Sequence, residues 1–219
     1  MKQVRDKASI VFIDCGVYTM KTKMMGAQVG GKPDTMPRDH IDKMMAGFAK
    51  NQGVFDRYAL RYADWLERHD NMYDWALDLD VDQLLGVDVA DQYYKLIISK
   101  VPYPRKIVRV WHMAGRTFDD WVRWCESGKH DYLAIEGGGS HGRDYDFYHP
   151  FIDVAHRHGV KVHVLAMTDP AFLKNVAADT GDSISWAAGG MYGYIFTPFG
   201  NIFFSSTDVP NKRINQNHW

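Results

Sequence analysis

The sequence predicts an α/β fold of the TIM-barrel type, incomplete or degenerate, with a C-terminal β-hairpin. Two observations carry this expectation. From about Val89 onward, short apolar runs rich in β-branched residues alternate with stripes of helical period, the beat of βαβ units around a parallel sheet. A chain of 219 residues also suffices for one domain with a sizeable core, about the length of a compact barrel. A single domain over 1–219 is expected, with a flexible basic loop over 19–38 and a polar tail over 206–219.

Taken in order, Ser9–Ile13 is continuously apolar and reads as a buried strand. The stretch 19–38 carries Gly26, Gly30, Gly31, Pro33 and Pro37 among Lys21, Lys23, Lys32 and Arg38, and is too long for a simple connection. Ile41, Met44, Met45 and Phe48 recur at helical spacing, as do Tyr58, Tyr62, Trp65 and Leu66. Met72–Val81 reads as a second strand whose Asp78 and Asp80 share a face. Helices follow at about 89–99, 118–126 and 145–157, with strands at 106–112, 132–135 and 161–166 between them. Asp169-Pro170 supplies an N-cap and a first-turn proline for one more helix. A last parallel strand runs into Trp186, and Pro198-Phe199-Gly200 sits between two apolar runs as a hairpin turn. The tally is about six parallel strands, short of the eight of a closed barrel. An open doubly wound sheet is the alternative, and in both architectures ligands sit at the C-terminal strand ends.

Composition narrows the function classes. The net charge of -1 and pI near 6.8 give no global basic signature, so any nucleic-acid contact must come from a local patch. The two cysteines, Cys15 and Cys125, lie in different segments without metal-ligand spacing, which predicts no zinc site, no disulfide framework and a reducing cytoplasm. No apolar run approaches a membrane span and no signal-peptide core is present at the N-terminus. Neither a cofactor nor a metal is expected.

The polar residues that follow apolar strand residues are Asp14, Asp78, Asp80, His112, Glu136 with Gly137 and Gly138, and Asp182. Asp182 stands between Gly181 and Ser183 in a run closed by Trp186, a setting that suits a nucleophile close to a flat ligand. Asp14 meets Cys15-Gly16 at the end of the first strand, so a fold that joins the two strand ends pairs one carboxylate to attack with one to move protons. Each has a plainer reading. Asp182 can be a turn acid, Asp78, Asp80 and Asp82 a solvated edge, His112 and His163 core histidines, and Gly137–Gly139 a turn.

Asp14-Cys15-Gly16-Val17-Tyr18 resembles the Asp-Ser-Gly-Gly-Phe element of the tRNA-guanine transglycosylase superfamily, and Ala134-Ile135-Glu136-Gly137-Gly138 resembles its Ala-Ile-Gly-Gly element. Lys161-Val162-His163-Val164 followed by Asp182-Ser183-Ile184-Ser185-Trp186 is similar to the shorter DNA 7-deazaguanine transglycosylases of bacteriophages and genomic islands. The resemblance is a set of short elements in the same order over most of the chain. It implies that Asp182 attacks the anomeric carbon of a guanosine and that Asp14 is the acid/base. It also implies that Asp78 or Asp80, the Gly137 and Gly138 amides and His112 contact the base, with Glu136, Ser183 and Trp186 at the same site. Lys21, Lys23, Lys32 and Arg38 become a phosphate-contacting flap. Guanine presents donors and an acceptor carbonyl, to which a carboxylate opposite glycine amides is complementary.

The chain also departs from the family pattern. The tRNA enzymes carry a zinc site of three cysteines and a histidine that this chain lacks, so DNA is favoured over tRNA as the polymer that meets the guanine or 7-deazaguanine base. The barrel is short by about two strands relative to the eight-stranded closed form, which leaves room for a homodimer to complete it. Glu136 stands where the family has a small residue. Two other readings remain open: a hydrolase or base exchanger acting on a small nucleoside or nucleotide, and a silent nucleotide-binding relative. For a phage-encoded chain the location is the host cytoplasm.

Overall fold

The structure is a computed structural model that describes residues 5–17, 47, 52–113, 115–137, 143–183, 194–197 and 200–203. The basic loop, most of the helix expected around Met44, the polar tail, Gly138 and Trp186 lie outside the described residues. Six strands form one sheet: β1 (Phe12–Ile13), β2 (Trp75–Leu77), β3 (Ile107–Trp111), β4 (Tyr132–Ile135), β5 (Lys161–Val164) and β6 (Thr180–Gly181). All neighbours are parallel, and the spatial order is the sequence order. A doubly wound sheet reverses its strand order at a switch point. This one never does, and it curls into a half-barrel. The strands are shorter than their apolar runs suggested, β1 beginning at Phe12 and β2 ending at Leu77.

Register divides the sheet into two faces. Phe12 pairs with Trp75, Leu77 with Val108, Val110 with Ala134, Ala134 with His163, and His163 with Thr180, so these residues share one face. It is the concave face: the rings of Phe12, on β1, and His163, on β5, stack with centroids 4.8 Å apart. Phe12 also meets Trp75 and Tyr132, on β2 and β4.

The opposite face is covered by helices. Helix α1 (Gln52–Arg68) buries Phe55, Ala59, Tyr62, Ala63 and Leu66, the i, i+3, i+4 stripe of an amphipathic helix. After the short α2 (Asp82–Leu85), α3 (Val87–Lys100) lies against α1 and buries Ala90, Tyr93 and Ile97. Helix α4 (Phe118–Glu126) starts at a capping box, in which Thr117 Oγ1 accepts from the Asp120 amide while the Asp120 carboxylate accepts from the Thr117 amide. In α5 (Tyr145–Arg157), Asp144 caps the start, and Trp121 Nε1 donates to Phe151 O at 2.8 Å to pin α4 against it. Helix α6 (Pro170–Val176) opens as the sequence predicts, Asp169 accepting from the Ala171 and Phe172 amides ahead of Pro170. Leu133, Ile135, Val162 and Val164 point into this helical layer with Trp121, Tyr148, Ile152 and Phe172. Strands β7 (Tyr194–Thr197) and β8 (Gly200–Phe203) pair antiparallel; the two residues between them lie outside the described residues, and the hairpin expected there stays an expectation.

Candidate active site

The concave face carries its chemistry one step beyond the strand ends. Extending the alternation from Phe12, Val110, Ala134 and Thr180 by two residues reaches Asp14, His112, Glu136 and Asp182. Asp14 and Asp182 crown β1 and β6 at opposite ends of the sheet, and the Phe12–His163 stack brings β1 across to β5, the neighbour of β6. The curl of the sheet thus turns the two acids toward one concavity.

At the β1 end, Asp14 is exposed and its Oδ1 accepts from the Gly16 amide at 3.3 Å. Gly16 has φ +72°, and a Cβ there would come within 2.7 Å of the Tyr58 hydroxyl, which donates to Cys15 O at 2.6 Å. Glycine after Asp14-Cys15 is therefore a packing requirement. Cys15 is buried and donates to Asp80 Oδ1 at 3.0 Å; burial and the neighbouring acids push its thiol far up, so it is no nucleophile.

The β2 acids depart from expectation. Because β2 ends at Leu77, the alternation that put Asp78 and Asp80 on one face does not run through them. Asp78 Oδ1 accepts from the Val110 amide at 3.1 Å, and its carboxyl is pushed up to about 7, by burial first and then by Asp82 and Asp80, against the pull of Arg109. Asp80 instead faces Cys15 and His112, and burial raises it too. Asp82, expected on a solvated edge, is buried in an ionic chain. Its Oδ1 lies 2.8 Å from His112 Nδ1, its Oδ2 accepts from Arg116 Nε at 3.2 Å, and Arg116 reaches on to Asp91 at 2.8 Å. Arg109 also pairs with Asp91 and lies over the Trp124 ring. The His112–Asp82 contact is an ion pair that lacks hydrogen-bond alignment. Burial alone would lower the imidazole, but Asp82, Asp80 and Glu136 outweigh it and raise its pKa.

Glu136, on the rim of β4, is held at both oxygens, Oε1 by the Met113 amide and Oε2 by Gln83 Nε2, each at 3.1 Å. Gly137 has no room for a side chain, since a Cβ would run into Leu165 O. Ser183 follows Asp182 as a partly buried residue. Lys21, Lys23, Lys32, Arg38, Gly138 and Trp186 lie outside the described residues.

The β6 end holds the most developed arrangement. Asp182 Oδ1 accepts from the Ala166 amide at 2.9 Å and lies 3.4 Å from His163 Nε2. Its side chain is 56% exposed, that of His163 5%. Partial burial would raise the Asp182 carboxyl, but the neighbouring His163 ring and the Ala166 amide prevail and hold it below the usual carboxylate range. Ala166 takes φ +54°, the left-handed region that few non-glycine residues adopt. Behind His163, Nδ1 lies 2.8 Å from Thr180 Oγ1, which lies 2.9 Å from the Tyr132 hydroxyl. The histidine read as a strand-interior exception is thus a neighbour of the candidate nucleophile. The signal was present in the two-residue period, which sets His163 on the face that Asp182 crowns.

Chemically, the rim offers an ionised, accessible carboxylate on β6, an exposed carboxylate on β1, an imidazole of raised basicity on β3 and a fixed carboxylate on β4. Among the described residues no cluster of His, Cys, Asp and Glu has the geometry of a metal site. Nor is any described helix long and apolar enough to cross a membrane. Set against protein-family models, curated proteins and solved structures, the chain matches none.

Proposed function

We propose that the chain is a base-exchange transglycosylase that replaces guanine in DNA by a 7-deazaguanine through a covalent sugar–Asp182 intermediate. The observation that carries the reading is the state of Asp182. It is an accessible carboxylate at the C-terminal edge of the sheet, held below the usual carboxylate range by the Ala166 amide on Oδ1 and the His163 ring beside it. Oδ2 is the oxygen this reading assigns to the electrophile. The sheet's curl, with Asp14 on the facing strand end, supports a two-carboxylate displacement of the kind retaining glycosidases use.

In the first half-reaction Oδ2 attacks C1′ of the nucleotide, the C1′–N9 bond breaks with its electron pair going to the base, and Asp14 gives that base a proton. In the second, Asp14 takes the N9 proton of the incoming 7-deazaguanine, whose N9 attacks C1′ and returns the electron pair of the C1′–Oδ2 bond to Asp182. In this reading His112, Asp80, Glu136 and the Gly137 amide serve as partners for the edge of the base. A guanine within a duplex must leave the stack before attack.

The test is exchange of labelled guanine into duplex DNA, single-stranded DNA and tRNA, with Asp182→Ala as control. Incorporation into DNA that the substitution abolishes is the expected result. Incorporation only into a free nucleoside or nucleotide, or none by a protein that still binds guanine, would overturn the reading in favour of a small-molecule enzyme or a silent binder.

A further inference from the structure

Asp182 does not stand alone on its strand end; a line of polar groups runs from it into the half-barrel. His163 Nε2 lies 3.4 Å from Asp182 Oδ1, His163 Nδ1 2.8 Å from Thr180 Oγ1, and Thr180 Oγ1 2.9 Å from the Tyr132 hydroxyl. The imidazole is buried and clamped by the Phe12 ring at 4.8 Å. The groups that face it are therefore Phe12 from β1, Tyr132 from β4 by way of Thr180, and Thr180 and Asp182 from β6. The nearest other acid, Asp179, is engaged elsewhere, accepting from the Val162 amide at 2.8 Å and meeting His156 Nε2 at 2.9 Å.

The line fixes which ring nitrogen faces Asp182 with a proton. A threonine hydroxyl has one hydrogen to give and two lone pairs. With a neutral imidazole, Tyr132 donates to Thr180, Thr180 donates to Nδ1, and the ring hydrogen is on Nε2. With a protonated imidazole, Nδ1–H donates to Thr180, Thr180 donates to Tyr132, and Nε2 again bears a hydrogen. In both states the nitrogen 3.4 Å from Oδ1 bears a hydrogen. The reverse tautomer would set a lone pair against the carboxylate, which no charge compensates.

We propose that His163 is a positioning residue for Asp182, its Nε2–H holding Oδ1 so that Oδ2 is presented to the anomeric carbon and the carboxylate departs readily when the sugar bond is broken. This rests on the reading of Asp182 as the nucleophile. When the incoming N9 attacks C1′, the C1′–Oδ2 electron pair returns to a carboxylate whose charge the Nε2–H and the Ala166 amide share. Removing the donor makes Asp182 more basic, hence a better nucleophile and a poorer leaving group. The cost falls on the second half-reaction.

The experiment compares His163→Leu, which removes the donor, with His163→Gln, whose amide can keep an N–H toward Oδ1, and with the isosteric Thr180→Val. Two readouts are taken: the titration of the Asp182 carboxyl carbon by NMR in the free protein, and the fraction of protein carrying a sugar adduct during guanine exchange on DNA. In His163→Leu the carboxyl should titrate at higher pH, exchange should fall on the order of 10-fold, the size of a lost hydrogen bond to a charged group, and the adduct fraction should rise above wild type. His163→Gln should keep both readouts close to wild type, and Thr180→Val should move them the same way as His163→Leu by a smaller amount. An unchanged titration in folded His163→Leu or Thr180→Val, or a fall in exchange without adduct accumulation, would overturn the proposal. If the wild type forms no adduct with any nucleic acid, the proposed function fails, and the carboxyl titration still decides whether His163 governs Asp182.

Discussion

Asp182 and Asp78 are the same residue type, each the first residue beyond a strand of the same sheet, and the fold drives them in opposite directions. On the β5–β6 side the carboxylate is more than half exposed, takes the Ala166 amide on Oδ1 with the His163 ring 3.4 Å away, and is held below the usual range. On the β2–β3 side Asp78 is buried, accepts the Val110 amide where the next carbonyl of β2 would otherwise stand, and is pushed up to about 7. The first is left open to solvent and the second ends a strand. A carboxylate at a strand end becomes a reactive group only through what surrounds it, which is why both acids look alike in the sequence.

Neutralising the two acids in turn puts this contrast at greatest risk. Asp182→Asn should lower exchange by on the order of 10³-fold or more, the scale of a lost nucleophile. Asp78→Asn, which keeps an oxygen for the Val110 amide, should retain most of the activity. Equal losses measured by steady-state exchange would erase the distinction. Next in size is the ionic chain behind the β2–β3 side. Arg116 and Asp82 are almost fully buried, so Arg116→Ala leaves the buried Asp82 with only His112 as its charged partner and should cost about 3 kcal/mol in urea unfolding.

The pH dependence of stability should differ in sign between the two sides. Asp78 titrates higher in the folded chain than in the unfolded one, so its contribution is complete below the unfolded value of about 4 and is lost as pH rises through about 7. Asp182 titrates lower when folded, so its contribution is present above the unfolded value and is lost as pH falls through the folded one. Urea midpoints measured between about pH 4 and 8 should therefore decline less steeply with pH in Asp78→Asn than in wild type. The smallest effect expected lies away from both sides: Thr117→Ala removes the α4 cap and should cost about 1 kcal/mol, with exchange unchanged.

Much of the architecture was legible in the chain because its signals are local. Asp169-Pro170 marks a helix start that the structure reproduces, and apolar runs locate five of the six parallel strands, while β6 at Thr180–Gly181 lies just ahead of the run into Trp186, which is outside the described residues. Strand ends were less legible, since Leu79 and Val81 continue the apolar alternation although β2 stops at Leu77. That misread Asp78 as sharing a face with Asp80 and cast Asp82 as solvated. The ionic chain could not be read at all: Asp82 meets Arg116 across 34 residues and Arg109 meets Asp91 across 18, separations that no local pattern encodes. His163 was passed over because a histidine inside an apolar strand is usually a core residue, and its role emerges only when β6 brings Thr180 and Asp182 beside it.

Whether Asp182 is a nucleophile can be decided by incubating the protein with a guanine-containing DNA oligonucleotide, denaturing it rapidly, and mapping the peptide that carries added mass. A sugar-linked oligonucleotide should be found on the peptide containing Asp182 and be absent from Asp182→Asn. An adduct on another residue, or free guanine released with no adduct at any time, would contradict that role.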